Sequence, residues 1–332
     1  MKSINSEKIL NNASGKFICI IGDVMLDQYL LGEVTRISPE APVQVFETRE
    51  SEPKLGGAAN VSLNIKSLGA NPFLIGVVGN DSNAEILKKV MIQNNQAIDG
   101  LITEKSRPTT CKTRVIADSH HLIRIDSESK KDISKETQKR IFDLLKKNTE
   151  KIEVIILQDY NKGVLTKDVI KEVIKFAKTN SIKVLVDPKF DNFFEYKDVF
   201  LFKPNKKEIE EAFGKKAKAL IEVQNIGKEL LNKINCKYLV CTLGENGIMM
   251  FENNDKEILI STFNTRARNV ADVSGAGDTV ISTIAVAISG GASVKDAVTI
   301  SNFAAGIVVE EVGIVPVEKE SLIKQINSFI NK

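Results

Sequence analysis

The residues best suited to chemistry stand in Asp272-Val-Ser-Gly-Ala-Gly-Asp278, which leads into the apolar run Thr279–Ser289. Gly275 and Gly277 permit a tight turn and let backbone N–H groups come close to a ligand. A helix opening there aims its unpaired N–H groups and the positive end of its dipole into the loop. Such a pocket, with Ala276 between the two glycines, suits an anion such as a phosphoryl group in transit. Asp278, in the first helical turn, would stand beside it and could take a proton from a hydroxyl. Phosphoryl transfer asks a protein for an anion cradle, a positioned nucleophile and little more. The same tetrapeptide also fits an ordinary helix start, with glycines as the turn and aspartate as the cap. The rest of the chain has to separate the two.

Composition narrows the classes. The 332 residues carry 46 basic and 43 acidic side chains, a net charge of +3, which leaves no basic footprint for nucleic acid. Cys19, Cys111, Cys236 and Cys241 form no Cys-x-x-Cys pair, and His120 and His121 are the only histidines, so a zinc site is not expected. Cys19 and Cys241 lie in strand-like apolar runs as small core residues, and free thiols suit the cytoplasm. Lys2, Glu7 and Lys8 precede the first apolar run, which does not read as a signal peptide. No apolar stretch approaches the ~20 residues that span a bilayer, so no membrane partner is expected.

The elements that must position these residues follow from periodicity. Residues 17–21 form an apolar run ended by Gly22, a strand buried on both faces, with Asp23 and Asp27 expected just past its C-terminal end. Residues 29–50 contain Pro39 and Pro42 and an alternating stretch from Val43 to Thr48, an antiparallel excursion from the main sheet. Residues 109–126 read as a hairpin turning near Asp118-Ser119, and the two excursions are expected to pair as a small β-lid. Between them, Val61, Ile65 and Leu68 recur at helical spacing, with Gly69 as the stop and Gly56, Gly57 and Asn60 at the start. A strand over 73–78 and a helix over 82–94 follow. Helices over 134–148, 166–179, 206–213 and 219–234 then alternate with strands over 153–158, 183–187, 199–202 and 238–242. A further strand covers 248–251, and helices over 293–309 and 318–330 close the chain. This alternation implies an α/β fold with a doubly wound, mainly parallel sheet. Asp27, Asp159, Asp187, Lys189, Asn205, Glu208, Thr242 and Gly244 all fall after strand ends, on the rim where such sheets bind ligands.

Gly56-Gly57-x-x-Asn60 together with Asp272-x-x-Gly-Ala-Gly-Asp278 resembles the two signatures of the ribokinase-like (PfkB) carbohydrate kinases, in the same order and over essentially the whole chain. Within that family, Gly22–Tyr29, Arg36-Ile-Ser-Pro-Glu-Ala-Pro-Val43, Asp159-Tyr-x-Lys-Gly163, Arg114-Val and Leu122–Asp126 are similar to the heptose-7-phosphate kinase domain of bifunctional heptose kinase/adenylyltransferases. The resemblance implies one ribokinase-like domain over 1–332. It implies transfer of the ATP γ-phosphoryl to the anomeric hydroxyl of D-glycero-β-D-manno-heptose 7-phosphate, giving a 1,7-bisphosphate precursor of ADP-heptose for lipopolysaccharide. Asp278 would be the base and Gly275, Ala276 and Gly277 the anion hole. Asn205 and Glu208 would help place Mg²⁺ through water, while Lys203, Thr242, Gly244, Gly247 and Asn302 would line the ATP side. Asp27, Gly56, Gly57 and Asn60 would hold sugar hydroxyls. Arg114, Lys162, Lys189 and Arg124 are candidates for the substrate phosphate, unranked by sequence. ATP and Mg²⁺ are the implied cofactors, with a monovalent cation such as K⁺ as an optional third.

The His-x-Gly-His motif of the bifunctional relatives' second domain is absent here, so adenylyl transfer is not assigned to this stretch. Competing readings are a kinase for another sugar or sugar phosphate, such as ribose or a fructose phosphate, and a non-catalytic sugar- or nucleotide-binding regulator. A dehydrogenase would require Gly-x-Gly-x-x-Gly after the first strand, and a P-loop enzyme Gly-x-x-x-x-Gly-Lys-Ser/Thr; neither occurs. Exposed lid strands suggest a homodimer through the lid.

Overall fold

The computed structural model describes residues 5–330 except 119, 255, 268, 269 and 312. In chain order its strands are β1 (Phe17–Gly22), β2 (Val24–Ile37), β3 (Gln44–Gly57), β4 (Asn71–Val78), β5 (Leu101–Thr103), β6 (Cys111–Ala117), β7 (His120–Ser127), β8 (Ile152–Gln158), β9 (Lys183–Asp187), β10 (Leu201–Phe202), β11 (Tyr238–Thr242), β12 (Ile248–Asn254) and β13 (Glu257–Phe263). Its α-helices are α1 (Ser6–Asn12), α2 (Ala58–Ser67), α3 (Ser82–Gln93), α4 (Lys135–Lys147), α5 (Lys167–Thr179), α6 (Lys206–Phe213), α7 (Leu220–Ile234), α8 (Ala276–Ser289), α9 (Val294–Val308) and α10 (Lys319–Ile330).

The continuous apolar run of β1 dictates the layering. Ile18 and Ile20 point into one apolar cluster, Cys19 and Ile21 into the other. A strand buried on both faces needs helices on both sides. The first cluster takes side chains of α2, α8 and α9, the second those of α4, α5 and α7. The sheet order is β13-β12-β11-β10-β9-β8-β1-β4-β5, parallel except where β12 and β13 run antiparallel at one edge. Every residue of α8 from Asp278 to Ile288 is buried, so this helix forms part of the core.

A second sheet, ordered β3-β2-β6-β7, stands beside the first. It contains both excursions, but its strands run further than 29–50: β2 begins at Val24 and β3 ends at Gly57, each 14 residues long. Asp27 therefore lies inside β2, paired with Lys54 and Lys112, rather than in a turn past β1. The chain can pass from β1 to β2 across a single residue because Gly22 has no Cβ; one placed there would lie 2.1 Å from the Gln158 carbonyl oxygen. Asp118, on the β6–β7 turn, adopts φ 47°, while Ser119 lies outside the described residues. Sequence periodicity passed over β5, β13 and α1. β5 has only three residues, too few for a period to register. Among the described residues, no helix is long and apolar enough to cross a membrane.

Candidate active site

The two readings of Gly-Ala-Gly-Asp differ in what the first turn of α8 should show. Gly275 is the N-cap residue at φ 81°, a backbone state that side chains with a Cβ rarely adopt. Ala276, Gly277 and Asp278 are the first three helical residues, whose N–H groups have no intrahelical acceptor. Among the described residues no side chain caps this end. The Asp278 carboxylate turns away to three side-chain donors instead. Asn60 Nδ2 binds Oδ2 at 2.8 Å, and Tyr160 Oη and Gln158 Nε2 bind Oδ1 at 2.7 and 3.1 Å. A capping aspartate would not need them.

Each donor arrives from a different element. Asn60 sits in the first turn of α2, and Asn64, one turn later, donates to the Asn60 carbonyl oxygen at 3.0 Å and to its Oδ1 at 3.3 Å. Gln158 closes β8 and bridges two carboxylates, donating also to Asp187 Oδ2 at 3.1 Å. Its amide nitrogen is drawn to both charges, and its buried Oε1 has no hydrogen-bond partner among the described residues. Tyr160 lies on the loop after β8. Asp23, 1% exposed, accepts from the backbone N–H of Tyr160, Lys162 and Val164 at 2.8, 3.0 and 3.2 Å and so fixes that loop.

Burial raises the Asp278 carboxyl from its ordinary value to about 6. The Asn60 and Tyr160 hydrogen bonds pull the other way, the Asp187 charge adds to the rise and Lys203 opposes it. Lys203 Nζ itself pairs with Asp187 Oδ1 at 3.0 Å, and a Cβ on Gly277 would stand 3.5 Å from that nitrogen. A cation thus faces the open first turn of α8.

On this side opens a cavity of about 900 Å³, lined among others by Lys189, Lys203, Asn205, Glu208, Thr242, Gly244, Gly247, Asn302 and residues 275–278. The expected ATP-side residues are therefore gathered around one space. Asn205 and Glu208 form a capping box on α6: Asn205 Oδ1 accepts from Glu208 N and Glu208 Oε2 from Asn205 N, both at 2.8 Å. Glu208 also pairs with Lys189. Burial and the Asp187 charge raise the Glu208 carboxyl, against the pull of Lys189 and Lys203. No cluster of three or more His, Cys, Asp or Glu able to hold a metal occurs among the described residues. Asn302 Nδ2 is occupied by the Asn264 carbonyl oxygen at 2.7 Å.

Asp27, Gly56, Gly57, Asn60, Arg114 and Lys162 do not line this cavity. Asp27, 3% exposed, pairs with Arg114, whose guanidinium lies 5.2 Å from the centre of the Tyr29 ring. A Cβ on Gly56 would come within 2.1 Å of Asp27 Oδ2, so this glycine makes room for the carboxylate. Lys162 turns to Glu128 at 2.8 Å, and Arg124 to Asp126 at 2.9 and 3.0 Å. All four cations proposed for a substrate phosphate thus carry a carboxylate partner. Gln158 and Tyr160 were not among the expected site residues. Gln158 closes β8 and Tyr160 lies within the Asp159-Tyr-x-Lys-Gly163 stretch, and that placement was the available signal.

A model of the pfkB family carbohydrate kinases matches residues 16–320. The chain is 42% identical over 296 residues to the bifunctional protein HldE of Aliarcobacter butzleri, covering 89% of this chain and 61% of that one. It is 38% identical to the bifunctional protein HldE of Geobacter sulfurreducens, covering 94% of this chain and 63% of that one. The chain thus spans somewhat over three-fifths of the length of these relatives. Phosphofructokinase-2 from Escherichia coli in complex with substrates and products superimposes with a TM-score of 0.75 at 16% identity, over 96% of this chain and all of that one. Arabidopsis thaliana ribokinase complexed with ribose and ATP gives 0.72 at 17% identity, over 94% and 99%. At these identities the two structures speak to the fold.

Proposed function

Because the chain belongs to the pfkB family of carbohydrate kinases, and so is an ATP-dependent carbohydrate kinase, we propose that it phosphorylates the anomeric hydroxyl of D-glycero-β-D-manno-heptose 7-phosphate, giving the 1,7-bisphosphate for ADP-heptose and lipopolysaccharide synthesis. The observation that carries the chemistry is the Asp278 carboxylate. It is buried, uses none of its lone pairs as a helix cap, and is held by three side-chain donors beside an open helix N-terminus. The acceptor is supported by the match to the HldE proteins over nine-tenths of the chain and by the Arg36–Val43 and Asp159–Gly163 stretches.

Asp278 takes the proton of the anomeric hydroxyl as that oxygen bonds to the γ-phosphorus and the bond from phosphorus to the β,γ-bridging oxygen breaks, releasing ADP. The N–H groups at Gly275–Gly277 receive the charge on the phosphoryl oxygens. Lys203 and Lys189 add positive charge on the same side, while Thr242, Gly244, Gly247 and Asn302 line the nucleotide's space. Asp27, Gly56, Gly57 and Asn60 serve the sugar, with Arg114, Lys189 and Lys162 as the cations for its phosphate. Mg²⁺ would supply charge neutralisation when bound, and Glu208, already paired with Lys189, and Asn205 would hold it through water. The small sheet acts as a lid over the sugar. The exposed Leu122, Ile123 and Ile125 on its edge strand β7 support a homodimer through that lid. The proposed setting is the cytoplasm, and a monovalent cation such as K⁺ is an optional third cofactor, tested by replacing it in the assay.

The test is a coupled ADP-release assay with ATP, Mg²⁺ and heptose 7-phosphate, with phosphorus NMR of the product. Turnover to a new anomeric phosphate supports the proposal. Turnover of ribose or fructose 6-phosphate with none of heptose 7-phosphate overturns the acceptor while leaving the kinase chemistry standing.

A further inference from the structure

The lone pairs of Asp278 are unequally used. An ionised carboxylate offers about two acceptor positions on each oxygen. Oδ1 already accepts from Tyr160 Oη at 2.7 Å and Gln158 Nε2 at 3.1 Å, whereas among the described residues Oδ2 accepts from Asn60 Nδ2 alone, at 2.8 Å. Only Oδ2 keeps a free position for an incoming hydroxyl proton. The phenol is the shortest of the three contacts, and its delivery is elaborate. Tyr160 sits on a tight loop in which Asn161 has φ 54° and Gly163 φ 80°. Asp23 gathers three N–H groups of that loop, and Arg107 donates to the Lys162 carbonyl oxygen and, at 3.2 Å, to that of Ser129. Buried Asp23 therefore spends its hydrogen bonds on holding the segment that carries Tyr160.

Resting on the reading of Asp278 as the base, we propose that Tyr160 is a positioning residue for it: the Asp23-anchored phenol binds Oδ1, fixes the carboxylate plane and leaves Oδ2 to accept the acceptor's proton. Burial and the Asp278 charge keep the phenol protonated, so it stays a donor throughout the reaction. The charged or titratable groups facing the carboxylate are Tyr160, Asp187 and Lys203, with Lys189 acting on it from further out. Removing the phenol withdraws a donor that stabilises the ionised form, so the Asp278 carboxyl titrates at higher pH.

Tyr160→Phe keeps the ring and deletes the oxygen. Two measurements decide: the pH profile of kcat/KM with heptose 7-phosphate as the probe acceptor, and the titration of Asp278 in the free protein by isotope-edited infrared spectroscopy of its carboxyl, which needs no turnover. The expected result is a carboxyl midpoint raised by half a pH unit or more, a matching upward move of the acid limb, a fall in kcat of about tenfold or more and a melting temperature within a few degrees of wild type. A role confined to packing would lower the melting temperature or activity and leave the carboxyl midpoint in place; an unmoved midpoint overturns the inference. Should Tyr160→Phe melt early, Asp23→Asn, which weakens the loop anchor and leaves the phenol in the sequence, must raise the same midpoint, and failure there also overturns it. Asp278→Asn separates the layers: an active Asp278→Asn removes the base itself, whereas an inactive Asp278→Asn with an unmoved midpoint in Tyr160→Phe removes only the role of Tyr160.

Discussion

Replacing Asp278 by asparagine is expected to separate activity from stability. The aspartyl carboxyl rises from 3.8 to about 6 on folding, chiefly through burial. Between those two pH values the folded state binds the proton more tightly than the unfolded chain, so stability falls as pH rises through this window. At pH 7 the gap of roughly two units costs the native state about 3 kcal/mol. At pH 5 about half of that cost remains, and by pH 4 little of it. Asparagine carries no charge to desolvate. Its Oδ1 can still accept from Tyr160 and Gln158, but its Nδ2 then faces Asn60 Nδ2, donor against donor, and Asn64, which donates to Asn60 Oδ1, limits how freely Asn60 can flip. A mismatch of that kind returns about 1–2 kcal/mol. The variant should therefore melt no lower than wild type at pH 7, with its relative advantage shrinking toward pH 4. It should keep ATP binding and lose about 10²–10⁴-fold in kcat, the usual contribution of a general base. Wild-type activity should fall on the acid side through pH ~6, because the base works only when ionised. Differential scanning fluorimetry at pH 4, 5 and 7 and the ADP-release assay read both arms. An Asp278→Asn protein that melts clearly below wild type at pH 7 would show that the carboxylate is a net stabiliser. A variant with full turnover would remove it from the chemistry.

Two glycines give sharper steric tests. Gly275→Ala forces a side chain into φ 81° and sets a Cβ 3.2 Å from Asn60 Nδ2. The conformational cost is about 1–2 kcal/mol, and kcat should drop about tenfold or more as the helix N-terminus shifts; unchanged kcat would argue against these amides as the anion site. Gly56→Ala places a Cβ 2.1 Å from Asp27 Oδ2 and 2.7 Å from Met25 Cγ, which must drive Asp27 off Arg114. KM for the sugar should rise about tenfold, roughly 1.4 kcal/mol, with KM for ATP within a factor of about two; a rise in the ATP constant instead would place Asp27 on the wrong side of the site.

What could be read in the chain was what short-range physics writes there. α6 begins at Lys206 because Asn205 and Glu208 close a capping box, and both residues sit three apart in the sequence. α8 was legible from its unbroken apolar character and the glycines before it. The position of Asp27 was not, because it depends on Gly22 letting β2 start one residue after β1, a matter of how close the β8 backbone runs. Gln158 and Tyr160 stayed hidden for a related reason. Their roles arise from partners 120 and 118 residues away, and Tyr160 is aimed by a carboxylate 137 residues before it. Local pattern marks a strand end but says nothing of which strand end faces which.

The electrostatics explain why such long-range construction is needed. Asp23, Asp159, Asp187 and Asp278 all lie buried at the same edge of the sheet. Left uncompensated, charges so placed would be prohibitively costly. Each is handled differently. Asp23 takes three backbone N–H groups. Asp159, pushed up to about 7 by burial and the Asp23 charge, takes the Tyr196 hydroxyl at 2.6 Å. Asp187 takes Lys203 directly. Asp278 is given three neutral side-chain donors, and it joins none of the ion pairs among the described residues. A lysine in direct contact would have held its carboxyl low and made it a poor proton acceptor. Neutral donors orient the group while burial keeps its affinity for a proton near that required at working pH. The lysine that could have neutralised it is instead paired one residue away in space, on Asp187, where it faces the helix N-terminus and can meet an arriving anion.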